Sequence, residues 1–91
     1  MAEGNAISPA SQQDLNNLRR TISSGSLHDI VTSGFYYVTG GVTDKPTGNG
    51  GMYIVTAFNA ALLVGLFCNT DGYMFMIVRN NGAWTTYSVY P

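Results

Sequence analysis

The apolar positions of this chain follow two different rhythms. Between residues 8 and 25 they recur at helical spacing, with Leu15, Leu18 and Ile22 three and four residues apart on one face. Ser8-Pro9 offers a cap and a first helical residue that needs no N–H, Ser11 with Asp14 offers an overlapping capping box, and Gly25 ends the run. The spacing therefore predicts a helix over Pro9–Ser23. A helix of that length is marginal in water alone, so its stripe has to dock. Two partners are open to it: the chain's own sheet, or the same helix from sister chains in a short coiled-coil stub.

Beyond Gly25 the rhythm becomes that of strands and turns. Ser26 can cap one helical turn over Leu27–Val31, and Thr32-Ser33-Gly34 reads as a turn. Phe35–Val38 is aromatic and β-branched, hence a strand. Residues 39–51, with five Gly and one Pro, form a long loop. Strands follow over Met52–Ala57, Ala61–Cys68, Tyr73–Val78 and Trp84–Val89, and the Ala and Leu of the second leave a helical alternative open there. Asn69-Thr70-Asp71-Gly72 and Asn80-Asn81-Gly82 are the turns between the last three. The expected fold class is mainly β: a short N-terminal α-helix, then a small antiparallel β-sandwich or meander. The division falls at residue 25, with 1–25 as the leading segment and 26–91 as the β-rich domain.

The strands carry one unusual feature. A half-exposed sheet alternates apolar and polar positions. Here Phe75 and Ile77 are apolar on one face and Met74 and Met76 on the other, and Leu63 and Phe67 are backed by Leu62, Val64 and Leu66. Both faces ask to be covered, and a chain of 91 residues has little material with which to cover a sheet twice. The surplus face is best buried against identical copies, with the N-terminal helix lying over one face of a monomer as the competing arrangement. Leu63, Phe67, Phe75, Ile77, Met74 and Met76 are thus core or oligomer-interface candidates, and Leu15, Leu18 and Ile22 are the stalk-interface candidates.

Composition supports assembly. Charged residues make up 10% of the chain while 45% is hydrophobic, against about 25% charged in ordinary domains. A net charge of −1 supplies no footprint for phosphates, so no nucleic-acid partner is expected. Met1–Ala10 lack the basic start and apolar run of a secretory leader, and Ala60–Cys68 is too short for a membrane span, so no membrane insertion is expected. Cys68 is the only cysteine, expected as a buried, inert thiol in a chain made in a reducing cytoplasm. The single histidine, His28, and the scattered acids Glu3, Asp14, Asp29, Asp44 and Asp71 assemble no catalytic or metal-binding pattern. The expectation is no enzyme, no metal and no cofactor. Tyr37, Tyr53, Trp84 and Tyr87 are candidate glycan contacts, because aromatic rings stack on sugars, although about half of such strand residues face a core.

The run Ser26-Leu27-His28-Asp29-Ile30-Val31-Thr32-Ser33-Gly34-Phe35-Tyr36-Tyr37-Val38 resembles the opening of the pyocin-knob family of phage fibre domains. Asp44-Lys45-Pro46 before the Gly-rich loop, Met52-Tyr53-Ile54-Val55, and the closing pattern from Met76 through Arg79, Asn80-Asn81-Gly82 and Trp84 to Tyr87 are similar in the same order. The chain departs from the family at Ala61–Phe67, apolar where the family often has a Gln-rich strand, which favours packing at an interface. The resemblance implies a homotrimeric virion appendage on a phage head or tail, made in the host cytoplasm and carried on the virion surface. Residues 1–7, with Ala2, Asn5 and Ile7, would anchor it to a capsid or tail protein, residues 8–24 would form a trimeric stalk, and 26–91 the knob. A cell-surface glycan is the further partner implied, and a carbohydrate-binding adhesion module is the alternative function.

Overall fold

The computed structural model describes residues 19–90. They form one six-stranded sheet in sequence order: β1 (Arg19–Ile22), β2 (Gly34–Val38), β3 (Gly51–Asn59), β4 (Leu62–Asn69), β5 (Met74–Asn80) and β6 (Ala83–Tyr90). β2 to β6 are an antiparallel meander. β1 runs parallel to β2, with Arg19 opposite Phe35 and Ile22 opposite Val38. A parallel pair cannot be closed by a tight turn, so the chain must cross over one face of the sheet to get from β1 to β2.

That crossover, residues 23–33, supplies the second layer. It contains a one-turn 3-10 helix, Leu27–Asp29. The Ser26 hydroxyl accepts from the His28 N–H at 3.0 Å, and the Asp29 carboxylate accepts from the Ser26 N–H at 3.1 Å, a complete capping box. The loop from 39 to 50 lies alongside: the Leu27 N–H donates to the Thr43 carbonyl at 2.9 Å and the Thr43 N–H to the Gly25 carbonyl at 2.8 Å. Leu27, Ile30 and Val42 from these two segments are buried on Tyr36, Val38, Tyr53, Val55, Leu63, Phe67 and Ile77 from the sheet. The core is therefore a sheet against crossover and loop. The sandwich expected as one option is not formed, because the second layer contributes no sheet of its own.

One correction concerns the N-terminal side. Arg19–Ile22, expected to be the last turn of a helix ending at Ser23, are a strand. Their place is settled by pairing to β2, which no local pattern announces. Ile22 packs against the core of its own domain. The rest of the expected helix, with Leu15 and Leu18, and the anchor residues Ala2, Asn5 and Ile7 lie outside the described residues. β1 pairs with β2 and so lies in the same sheet as the strands that follow residue 25.

The turns are as expected. Asn81 and Gly82 both have positive φ, 53° and 86°, which closes the β5–β6 hairpin with the twist that suits it. In the β4–β5 turn the Asn69 side chain accepts from the N–H groups of Asp71 and Tyr73, both at 3.0 Å, and donates to the Thr47 hydroxyl at 2.8 Å.

Candidate functional site

The crossover and loop occupy one face of the sheet, and among the described residues no element covers the opposite face, here called the bare face. Its occupants follow from the register. One row runs Phe35, Ile54, Leu66, Met76, Tyr87 from β2 to β6. The next runs Tyr37, Met52, Cys68, Met74. Val64 on β4 lies opposite Val78 on β5 in a third row, flanked by Thr56 and Thr85. Phe35, Tyr37, Met52, Ile54, Leu62, Val64, Leu66, Met76 and Tyr87 are each between 36% and 50% exposed, close to what remains when a side chain stands among neighbours with nothing above it. From β2 to β6 none of these rows carries a charged residue, and Arg19 on the edge strand β1 extends the first row next to Phe35.

The expected interface residues divide by face. Leu63, Phe67 and Ile77 are buried in the domain's own core, and Phe75 packs against it. Met74 and Met76 lie on the bare face. Cys68, expected to be buried, is half-buried there, between Met52 and Met74. The bare face also holds residues that were not singled out in the sequence as interface candidates, notably Phe35, Met52 and Ile54. The signal available for them was the register itself: once Leu66 is placed outward, its ladder partners Ile54 and Phe35 must follow.

The glycan candidates also separate. Tyr53 is fully buried and cannot reach a ligand. Its ring lies between those of Tyr36 and Phe67, at 6.4 and 6.1 Å, and burial, helped by the neighbouring Tyr36, pushes its hydroxyl up to about 12. Trp84 is half-buried on the core side, with His28 stacked on it at 4.2 Å and the Arg79 guanidinium 5.2 Å from its ring centre. Tyr37 and Tyr87 are exposed on the bare face. Asn69 and Asp71 serve the turn, Asp71 accepting from the Asn49 amide. Among the described residues no three His, Cys, Asp or Glu side chains gather, and no helix is long and apolar enough to cross a membrane.

Taken together, a six-stranded sheet opened by a parallel strand, one face covered by a short crossover and the other left apolar, matches solved structures. The fold is that of a pyocin fibre domain. The chain superposes on the R1 pyocin fibre of P. aeruginosa with a TM-score of 0.67 and 19% identity, over 79% of this chain and 21% of that one. On the R2 pyocin fibre of P. aeruginosa the TM-score is 0.70 at 16% identity, over 80% of this chain and 22% of that one. An N-truncated R2-type pyocin tail fibre gives 0.70 at 16% identity, over 80% and 32%. The chain thus spans between about a fifth and a third of the fibres it matches. No protein-family model matches it, and no curated protein does.

Proposed function

We propose that the chain is a structural virion protein: a short homotrimeric fibre whose knob is the sheet domain and whose N-terminal residues attach it to a capsid or tail protein of a phage particle. It works by assembling and standing on the virion surface, where it aids adhesion to the host; it is not an enzyme. The observation that carries this reading is the exposed apolar face, uncharged from β2 to β6, on a fold shared with pyocin fibres. A face of that kind suits a subunit that is finished by its neighbours.

The glycan-binding alternative keeps Tyr37 and Tyr87, which are exposed, but loses Tyr53 to the core. Sugar sites pair a ring with convergent polar groups. The rows around Tyr37 and Tyr87 offer Met52, Met74 and Met76 instead, which suits protein contact better.

The test is location. Immunogold labelling with an antibody to the chain, applied to purified particles of the phage that encodes it, should place gold on the head or the tail at regular positions. A chain found only in the soluble fraction of the lysate, with clean particles, would overturn the reading.

A further inference from the structure

The fibre reading needs a surface through which copies hold one another, and the sequence offers candidates on both faces of the sheet. We infer that the bare face is the interface: copies of this chain gather with these faces turned inward about a common axis, and identical patches build a second core. The number of copies rests on the fibre reading; the face does not.

Area is the first argument. Nine large side chains on this face are 36–50% exposed. With the three aromatic side chains at about 150–250 Å² and the six others somewhat smaller, they leave roughly 500–800 Å² of apolar surface per copy. The largest such patch on a typical monomer is about 300–600 Å². A stable complex hides about 800 Å² on each partner. One patch therefore has the size of one side of an interface.

Charge is the second argument. Contact about an axis brings each residue near its own copy, so a charged residue would meet its like and repel. The rows from β2 to β6 contain none, and Arg19, which extends the Phe35 row, stands on the edge strand β1, away from the middle of the face. An unrelated partner would not demand this of every row, whereas a second copy does.

Width is the third. Strands lie about 4.8 Å apart, so the band from β2 to β6 is about 19 Å across. Three such bands closed into a triangle stand about 5–6 Å from the axis, half the ~10 Å that separates packed sheets. Side chains of the size of Leu66 and Met76 fill that space. Four bands would stand nearly twice as far out and leave a channel lined with apolar groups.

Cys68 makes the inference testable without adding a probe, as it lies on this face and is the only cysteine in the chain. The experiment uses the full-length protein, sedimentation at micromolar concentration, and the rate at which Ellman's reagent modifies the thiol. The wild type should sediment as an oligomer whose Cys68 reacts on the order of a hundredfold more slowly than in the urea-unfolded chain. Leu66→Lys should sediment as a folded monomer, because residue 66 is already 37% exposed in a single copy, and its Cys68 should react faster than the wild type's. A wild-type oligomer whose thiol reacts at the unfolded rate, or a Leu66→Lys variant of unchanged mass, overturns the assignment of the face and leaves the fibre reading standing. A wild type that is monomeric overturns both. Should Leu66→Lys fail to fold, the thiol rate of the wild-type oligomer decides by itself.

Discussion

Gly65 occupies the middle of β4, where a glycine ordinarily weakens a strand. Its neighbour explains it. A Cβ at position 65 would lie 2.7 Å from both the ring carbon Cζ and the hydroxyl oxygen of Tyr53, against the 3.5–4.0 Å typical of atoms in good contact. The ring cannot step aside, as it is fully buried and flanked by Tyr36 and Phe67. Gly65→Ala should therefore cost about 2 kcal/mol: an overpacking penalty at the upper end of 1–3 kcal/mol, less about 0.5–1 kcal/mol regained by removing a flexible glycine from a strand. For a domain of this size that lowers Tm by about 8–16 °C. The assay is urea unfolding at one fixed protomer concentration, since assembly adds to apparent stability, with the midpoint read at unchanged m. The cost should vanish when the ring is removed. In a Tyr53→Leu background, Gly65→Ala should be neutral or slightly stabilising, giving a coupling of about 2 kcal/mol in the double-mutant cycle. An equal penalty in both backgrounds, or a cost below about 0.5 kcal/mol in the wild type, would refute the argument that the ring reserves this position.

Three further outcomes follow from the same packing. The Tyr53 hydroxyl has no hydrogen-bond partner among the described residues, and its pKa is raised to about 12. The fold favours the neutral phenol, so this contribution is complete below pH 10 and is lost as pH rises from 10 towards 12. At about 1.4 kcal/mol per unit it amounts to about 2–3 kcal/mol, and Tyr53→Phe should flatten the fall of Tm over that window; a variant with the wild type's alkaline slope contradicts it. Asn69→Ala leaves the N–H groups of Asp71 and Tyr73 without their acceptor and should cost about 2–3 kcal/mol in urea unfolding. Asn69→Asp retains the acceptor and should recover at least half of the loss. His28 and Trp84, stacked at 4.2 Å and 11° between planes, should show a coupling of about 0.5–1.5 kcal/mol in a cycle of alanine variants, and strict additivity would show that the stack contributes nothing.

The strands from β2 to β6 are legible because each is a short apolar or aromatic run bounded by Gly, Asn or Asp, with β4, rich in Leu, the least distinct from a helix, and their two faces are legible from alternation alone. β1 is not. Arg19-Arg20-Thr21-Ile22 continues the helical spacing of Leu15 and Leu18, while its structure is decided by a partner sixteen residues away in the register Arg19 to Phe35. The covering layer was equally hidden, since a crossover and a Gly-rich loop have no periodicity to read. Tyr53 reads in the sequence as a candidate glycan contact because alternation gives two faces without saying which is the core. A signal is present: Gly65, a lone glycine inside an apolar strand, marks a close approach, and the large ring diagonal to it across the β3–β4 pair is the group that approaches.

The scarcity of charge, puzzling as a bulk property, becomes specific once the charged groups are located. Asp29 accepts from the Ser26 N–H and Asp44 from the Ser26 hydroxyl. Lys45 donates to the carbonyls of Gly40 and Val42, and Asp71 accepts from Asn49. Arg79 donates to the carbonyls of Ala60 and Gly82, joining two hairpin ends. These charges hold the crossover, loops and turns in place, at the ends of the sheet or over its core side. A domain that lived alone in water would spend some of its charge on the broad apolar face, where solubility needs it. This chain places most of it in its connections instead, and from β2 to β6 the face through which copies would meet carries no group that a second copy would repel, Arg19 lying opposite Phe35 on the edge strand β1.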